Sequence, residues 1–158
     1  MHVEKNIAVT LTGFLLGDDD TIAVRKDLQE QGVMEDLHLV RDKATNSYLK
    51  PQAPYVLRAS EKQRVLQAIK NVRTPSGHCA NFSKLVNLEK GKFQFMRSHD
   101  WHVLLEEVLP STLRGSLPDG PRLDVIRLGQ CFKRICEKQI KVSDLRALQT
   151  YEAETCSL

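Results

Sequence analysis

A chain of 158 residues with 41% apolar and 27% charged side chains is too apolar for wholesale disorder and fits the size of one ordinary domain. Its net charge of +3 is too small to argue for nucleic acid by itself. Four cysteines at irregular spacing (Cys79, Cys131, Cys136, Cys156) exclude a secreted disulfide framework and point to a reducing, intracellular compartment.

The charge is unevenly placed. Residues 1–40 carry 3 basic and 8 acidic side chains, residues 41–99 carry 12 and 3, and residues 100–158 carry 8 and 9. The middle block is the minimum electrostatic footprint for phosphate contact, with Arg58, Lys62, Arg64, Lys70 and Arg73 as its candidate contacts. Because the charges are spread singly and form no tight run, a solvated face around loops explains the block better than phosphate contact does.

In chain order, Ile7–Leu16 is apolar enough to resemble the core of a signal peptide. Glu4 before it, Asp18-Asp19-Asp20 after it and the lack of a small-residue cleavage site argue against that, and it is too short to span a membrane. Asp20 and Thr21 can cap a helix over IAVRKDLQEQ that ends at Gly32. Val40 to Pro54 reads as a loop. Ser60 opens a second helix with capping-box spacing, and Val65, Leu66, Ile69 and Val72 share one face until Thr74-Pro75-Ser76-Gly77 stops it. Residues 78–96 read as loop with at most one short strand.

Ser98 stands at a cap position before the stripe Trp101, Leu104, Leu105, Val108 and Leu109, and Pro110 ends or kinks that helix. Asp119-Gly120-Pro121 launches the longest helix, lined by Val125, Ile126, Phe132 and Ile135. Ser143 caps a last one through Leu145 and Leu148, with no Gly, Asn or Pro to end it before Leu158. The expectation is an all-α fold of about five helices joined by Pro, Gly and Ser loops and truncated at its C-terminus. Residues 1–56 form a helical segment and linker, and residues 57–158 an incomplete helical domain.

Chemistry is sparse. Adjacent carboxylates in Asp18-Asp19-Asp20 point apart, so an exposed acidic helix start explains them better than a metal site. His99 and His102, three apart on a helix, could face one ion with Asp100, Cys79 or Cys131, but the spacing is permissive and not diagnostic. Cys131 and Cys136, five apart, lie on different faces and read as core or boundary residues. Cys79 follows His78 without an orienting partner, and neither a nucleophile elbow nor a phosphate-cradling glycine loop is present. The reading is therefore a protein with no catalytic residues, no committed metal site and no cofactor. A metal-dependent hydrolase built on His99, Asp100 and His102 has the least support.

The stretch MRSHDWHVLLEEVLPSTLRGSLP resembles the Lys-Ser-His-Asp-Cys-His-Val-Leu…Leu-Leu-Pro…Arg-Gly-Leu-Leu-Pro segment of plant CACTA (En/Spm-type) transposon proteins. EKNIAVTLTGFLLG, VRKDLQEQGVMEDLHLV, KPQAPYVL and PSGHCANFSKLVNLEKGKF resemble further segments of that family in the same order, so nearly the whole chain is covered. The resemblance implies a region downstream of the transposase catalytic domain, classed as a domain of unknown function. It thereby implies a non-catalytic, transposase-associated fragment, nuclear if expressed, with DNA or a transposase catalytic domain as partner and no membrane. The alternative is a DNA-binding accessory module acting through the basic 41–99 block. Trp101 stands where the family usually has Cys, and Leu85 where it often has another.

Overall fold

The computed structural model describes residues 2–43, 46–75, 81–137, 139–140, 145–146, 149–151 and 153. Among them the chain forms seven α-helices and two small antiparallel hairpins, so the fold is mainly helical but not purely so.

Helix α1, His2–Leu16, is the element that sequence periodicity hides. Its buried stripe is Glu4, Ala8, Thr12 and Leu15, with helical spacing, yet two of the four members are polar. Thr12 satisfies its hydroxyl by donating to the Ala8 carbonyl at 2.8 Å. Gly17, at φ +79°, turns the chain out of the helix in a conformation that costs other residues.

Helix α2, Ile22–Glu30, starts as expected, with Thr21 Oγ1 accepting from the Val24 N–H, and its exit runs through Gly32 at φ +65°. A single 3-10 turn, Glu35–Leu37, follows. The expected loop after it contains a hairpin, β1 (Val40–Arg41) with β2 (Tyr48–Leu49), Val40 facing Leu49. Two residues per strand are too few to show alternation in sequence.

Asp20 is not an exposed helix start. It is 4% exposed and forms the floor of this region: Arg25, fully buried, gives both its Nε and its second guanidinium nitrogen to the Asp20 carboxylate, the latter at 2.9 Å. Arg25 also donates to the Leu37 carbonyl at 2.9 Å and the Pro51 carbonyl at 3.2 Å, while Lys50 Nζ lies 3.1 Å from Asp20 Oδ2. One buried fork thus ties α2, the 3-10 turn and the strand exit together. The Arg25 guanidinium holds the Asp20 carboxyl below the usual aspartate range, against the opposing effect of burial.

Helix α3, Ala59–Lys70, begins two residues earlier than the Ser60 cap would place it. Arg58 is its N-cap, and Glu61 Oε2 accepts from the Arg58 N–H at 2.9 Å. Val65, Leu66 and Ile69 are buried as the period predicts. The expected stop sequence lies after Asn71, the C-cap; Ser76 and Gly77 fall outside the described residues, as do His78 and Cys79. A one-turn helix α4 (Phe82–Leu85) and the hairpin β3 (Val86–Asn87) with β4 (Lys92–Phe93) occupy the span expected to be mostly loop.

The segment from Ser98 to Thr112 forms the spine of the core. Helix α5, Ser98–Val103, runs into a π-helical turn at Leu104–Val108 and on into α6, Leu109–Thr112. Pro110 does not end the helix. It has no N–H to give the carbonyl of Glu106 and its ring would crowd that carbonyl; the wider turn just before it, with the Leu109 N–H reaching back to Leu104 O, opens the space. Val103, Leu104, Leu105, Val108, Leu109 and Leu113 are all buried.

Helix α7, Asp119–Ile135, has Pro118 as N-cap, so Pro121 is its third residue and not its first. It crosses the π-turn through Gly129: a Cβ there would stand 2.7 Å from the Leu105 carbonyl oxygen. The inward face is Val125, Gly129 and Phe132, Cys136 at the C-cap is exposed, and Ile135, expected on the inward face, is 46% exposed. Of the expected last helix, residues 145, 146, 149–151 and 153 are helical; Ser143 and Leu148 lie outside the described residues. One core joins Ala8 and Leu15 to Leu57, Leu66, Phe82 and the spine.

Candidate functional site

Where α1, the spine and the end of α7 meet, four side chains with metal-ligating or acid–base chemistry converge: Glu4, His102, Glu106 and Cys136. Each arrives for a local reason. Glu4 heads the buried stripe of α1. His102 and Glu106 are four residues apart on the spine, hence on one face. Cys136 follows Val125, Gly129 and Phe132 at helical intervals and caps α7.

The geometry is close. His102 Nδ1 lies 2.7 Å from Glu4 Oε1 and 3.4 Å from Glu106 Oε1, and the Cys136 thiol approaches Glu4 Oε2 at 3.9 Å. The Glu4 side chain is 1% exposed and that of Glu106 5%. The short contact of His102 Nδ1 is with Glu4, and Glu106 Oε1 is left buried without a hydrogen bond among the described residues. Burial pushes the Glu106 carboxyl above its usual range, opposed by His102 and reinforced by the charge of Glu4. Burial likewise pushes the Cys136 thiol up, with Glu4 and Glu106 adding to it.

The structure divides the sequence candidates. His102 enters the cluster; His99 is exposed and stacks on the His102 ring, centroids 5.7 Å apart. Asp100 is used otherwise, accepting from the Arg97 N–H at 2.8 Å to start α5, which makes Arg97 and not Ser98 the N-cap. Cys131 is buried away from the cluster, and Cys136 supplies the thiol.

Comparison with protein-family models, curated proteins and solved structures gives no match. Trp101 packs edge-to-face on Phe93 at 5.6 Å, and Leu85 is buried, so the two positions where cysteines are expected from the resemblance are apolar contacts.

The basic candidates do not share a role. Lys62 Nζ donates to the Leu16 carbonyl at 2.8 Å and lies 3.6 Å from Asp18; Arg64 reaches Gly115 O and, at 2.9 Å, Ser116 Oγ. Both tie α3 to its neighbours. Arg58 and Arg73 are exposed and Lys70 is half-buried. No helix among the described residues is long and apolar enough to cross a membrane.

Proposed function

We propose that the chain is a non-catalytic helical module of a CACTA-type transposon protein, folded as a companion to a transposase catalytic domain. The observation that carries this reading is where the resembling segments lie. The stretch from Ser98 to Pro118 contains the spine, Ser98–Thr112, and the other segments fold onto it or onto one another.

EKNIAVTLTGFLLG is the body of α1, which packs on α5. KPQAPYVL passes Lys50 to Asp20 and the Leu57 N–H to the Leu15 carbonyl at 2.9 Å. The end of PSGHCANFSKLVNLEKGKF places Phe93 on Trp101. Motifs that occur in a fixed order and are also mutually packed behave as one inherited folding unit, since none buries its apolar face without the others.

Sequencing the DNA that flanks this reading frame tests the proposal. A transposase reading frame upstream, terminal inverted repeats and related copies elsewhere in the genome are the expected result. A flank without a transposase frame, in a genome without related copies, overturns it.

A further inference from the structure

We propose that Glu4, His102, Glu106 and Cys136 form a structural site for one divalent transition-metal ion of the zinc class, which clamps α1, the spine and the end of α7. This goes beyond the transposon reading and does not depend on it.

The donor set is the first reason. The four donor atoms lie within 4.8 Å of one another, and donors held at ~2.0–2.3 Å around a tetrahedral ion stand about 3.3–3.8 Å apart. His102 Nδ1 to Glu106 Oε1, at 3.4 Å, already has that spacing, and the Cys136 thiol to Glu4, at 3.9 Å, is close to it. The 2.7 Å hydrogen bond from His102 to Glu4 must lengthen once its proton is replaced by an ion, and any separation near the 4.8 Å limit of the cluster must close.

Glu106 supplies the second, independent reason. Its Oε1 is buried, has no hydrogen bond among the described residues and faces His102 Nδ1 at 3.4 Å inside the cluster. A buried carboxylate oxygen without a partner is costly in an otherwise packed interior. A cation between Glu106, Glu4 and the thiol removes that cost, and Lys133, whose charge acts on Glu106, offsets part of the remaining negative charge.

The donor types choose the ion. A thiol and an imidazole beside two carboxylates suit zinc-class ions, whereas magnesium and calcium prefer all-oxygen shells. All four positions are taken by protein and two of the ligands are nearly fully buried, which is the arrangement of a structural site and not a catalytic one. The ion would join residues 132 apart in sequence, Glu4 and Cys136.

Cobalt(II) titration of the full chain, stripped with a chelator, tests the site. One Co2+ per chain with a thiolate-to-cobalt charge-transfer band is expected, and Mg2+ neither produces a band nor competes. Zn2+ displaces the Co2+ and, at about 100 times its Kd, raises Tm by about 5–10 °C. Cys136→Ser abolishes the band, and Glu106→Gln, which preserves volume, weakens affinity by about tenfold or more. His99→Ala and the double variant Cys79→Ser/Cys156→Ser keep both band and affinity. Absence of the band in the wild-type chain, or a band that survives Cys136→Ser, overturns the proposal; so does a Glu106→Gln chain that binds as tightly as wild type.

Discussion

Replacing Arg25 with Met removes the cation around which residues 20–51 are organised while keeping an unbranched chain of similar length. Wild-type Arg25 is fully buried and feeds two oxygens of Asp20 and the carbonyls of Leu37 and Pro51. In the variant Asp20 keeps Lys50 Nζ at 3.1 Å and the Tyr55 hydroxyl at 3.4 Å, but loses its only fully buried counter-charge. Breaking a buried pair from one side costs about 3–5 kcal/mol; because the Lys50 side chain remains as a partly exposed substitute, the lower end, about 3 kcal/mol, is expected.

The pH dependence has a definite sign. Arg25 depresses the folded-state pKa of Asp20, so the pair's stabilisation is fully present above the ordinary aspartate range and is lost as pH falls through the depressed value. Urea titrations at neutral pH and at about pH 2 should therefore show a wide gap between wild type and Arg25→Met that narrows in acid. A second variant, Asp20→Leu/Arg25→Met, should recover much of the loss, since apolar replacement of both partners leaves no buried charge. A loss below about 1 kcal/mol, or a gap that stays constant down to pH 2, would refute the buried-fork account.

Gly129→Ala forces a Cβ to 2.7 Å from the Leu105 carbonyl, a backbone atom that cannot swing aside. Overpacking of about 1–3 kcal/mol outweighs a helix-propensity gain of about 1 kcal/mol, so thermal melts should show net destabilisation. Phe95 is 86% exposed at φ +57°, a left-handed conformation that disfavours a bulky residue. Phe95→Asn should therefore stabilise the chain by about 0.5–1 kcal/mol in denaturant titrations, and destabilisation would contradict this. Trp101→Cys, which installs the residue expected from the resemblance, loses the edge-to-face contact with Phe93. It should cost about 2–4 kcal/mol in the same assay, and a neutral result would remove Trp101 from the packing account.

Much of the helical order is legible in the residues themselves. Thr21 caps α2, the stripe Val65, Leu66 and Ile69 defines α3, and Val125 with Phe132 marks the inward face of α7. Helix α1 escapes because Glu4 and Thr12 hold two of its four core positions, so apolar periodicity fails where the buried polar groups sit. Pro110 misleads in the opposite direction. It reads as a stop, and only the π-turn at Leu104–Val108 explains why the helix continues.

The site divides along the same line. His102 is legible as a potential ligand, and Glu106, four residues on, is the partner that helical spacing offers. Glu4 and Cys136 cannot be found that way, since they meet only through the packing of α1 and α7 on the spine. Asp20 shows the reverse error: three consecutive carboxylates look solvated, but the third is buried by an arginine five residues later.

Crystals of the full chain grown with Zn2+, with anomalous diffraction recorded on both sides of the zinc absorption edge, address the convergence of these residues most directly. One peak is expected, bonded to Glu4, His102, Glu106 and Cys136, with metal–oxygen and metal–nitrogen distances of about 2.0–2.2 Å and metal–sulfur of about 2.3 Å. A zinc-grown crystal with no peak at these four residues, its Glu106 Oε1 satisfied by a proton or a water, would contradict it.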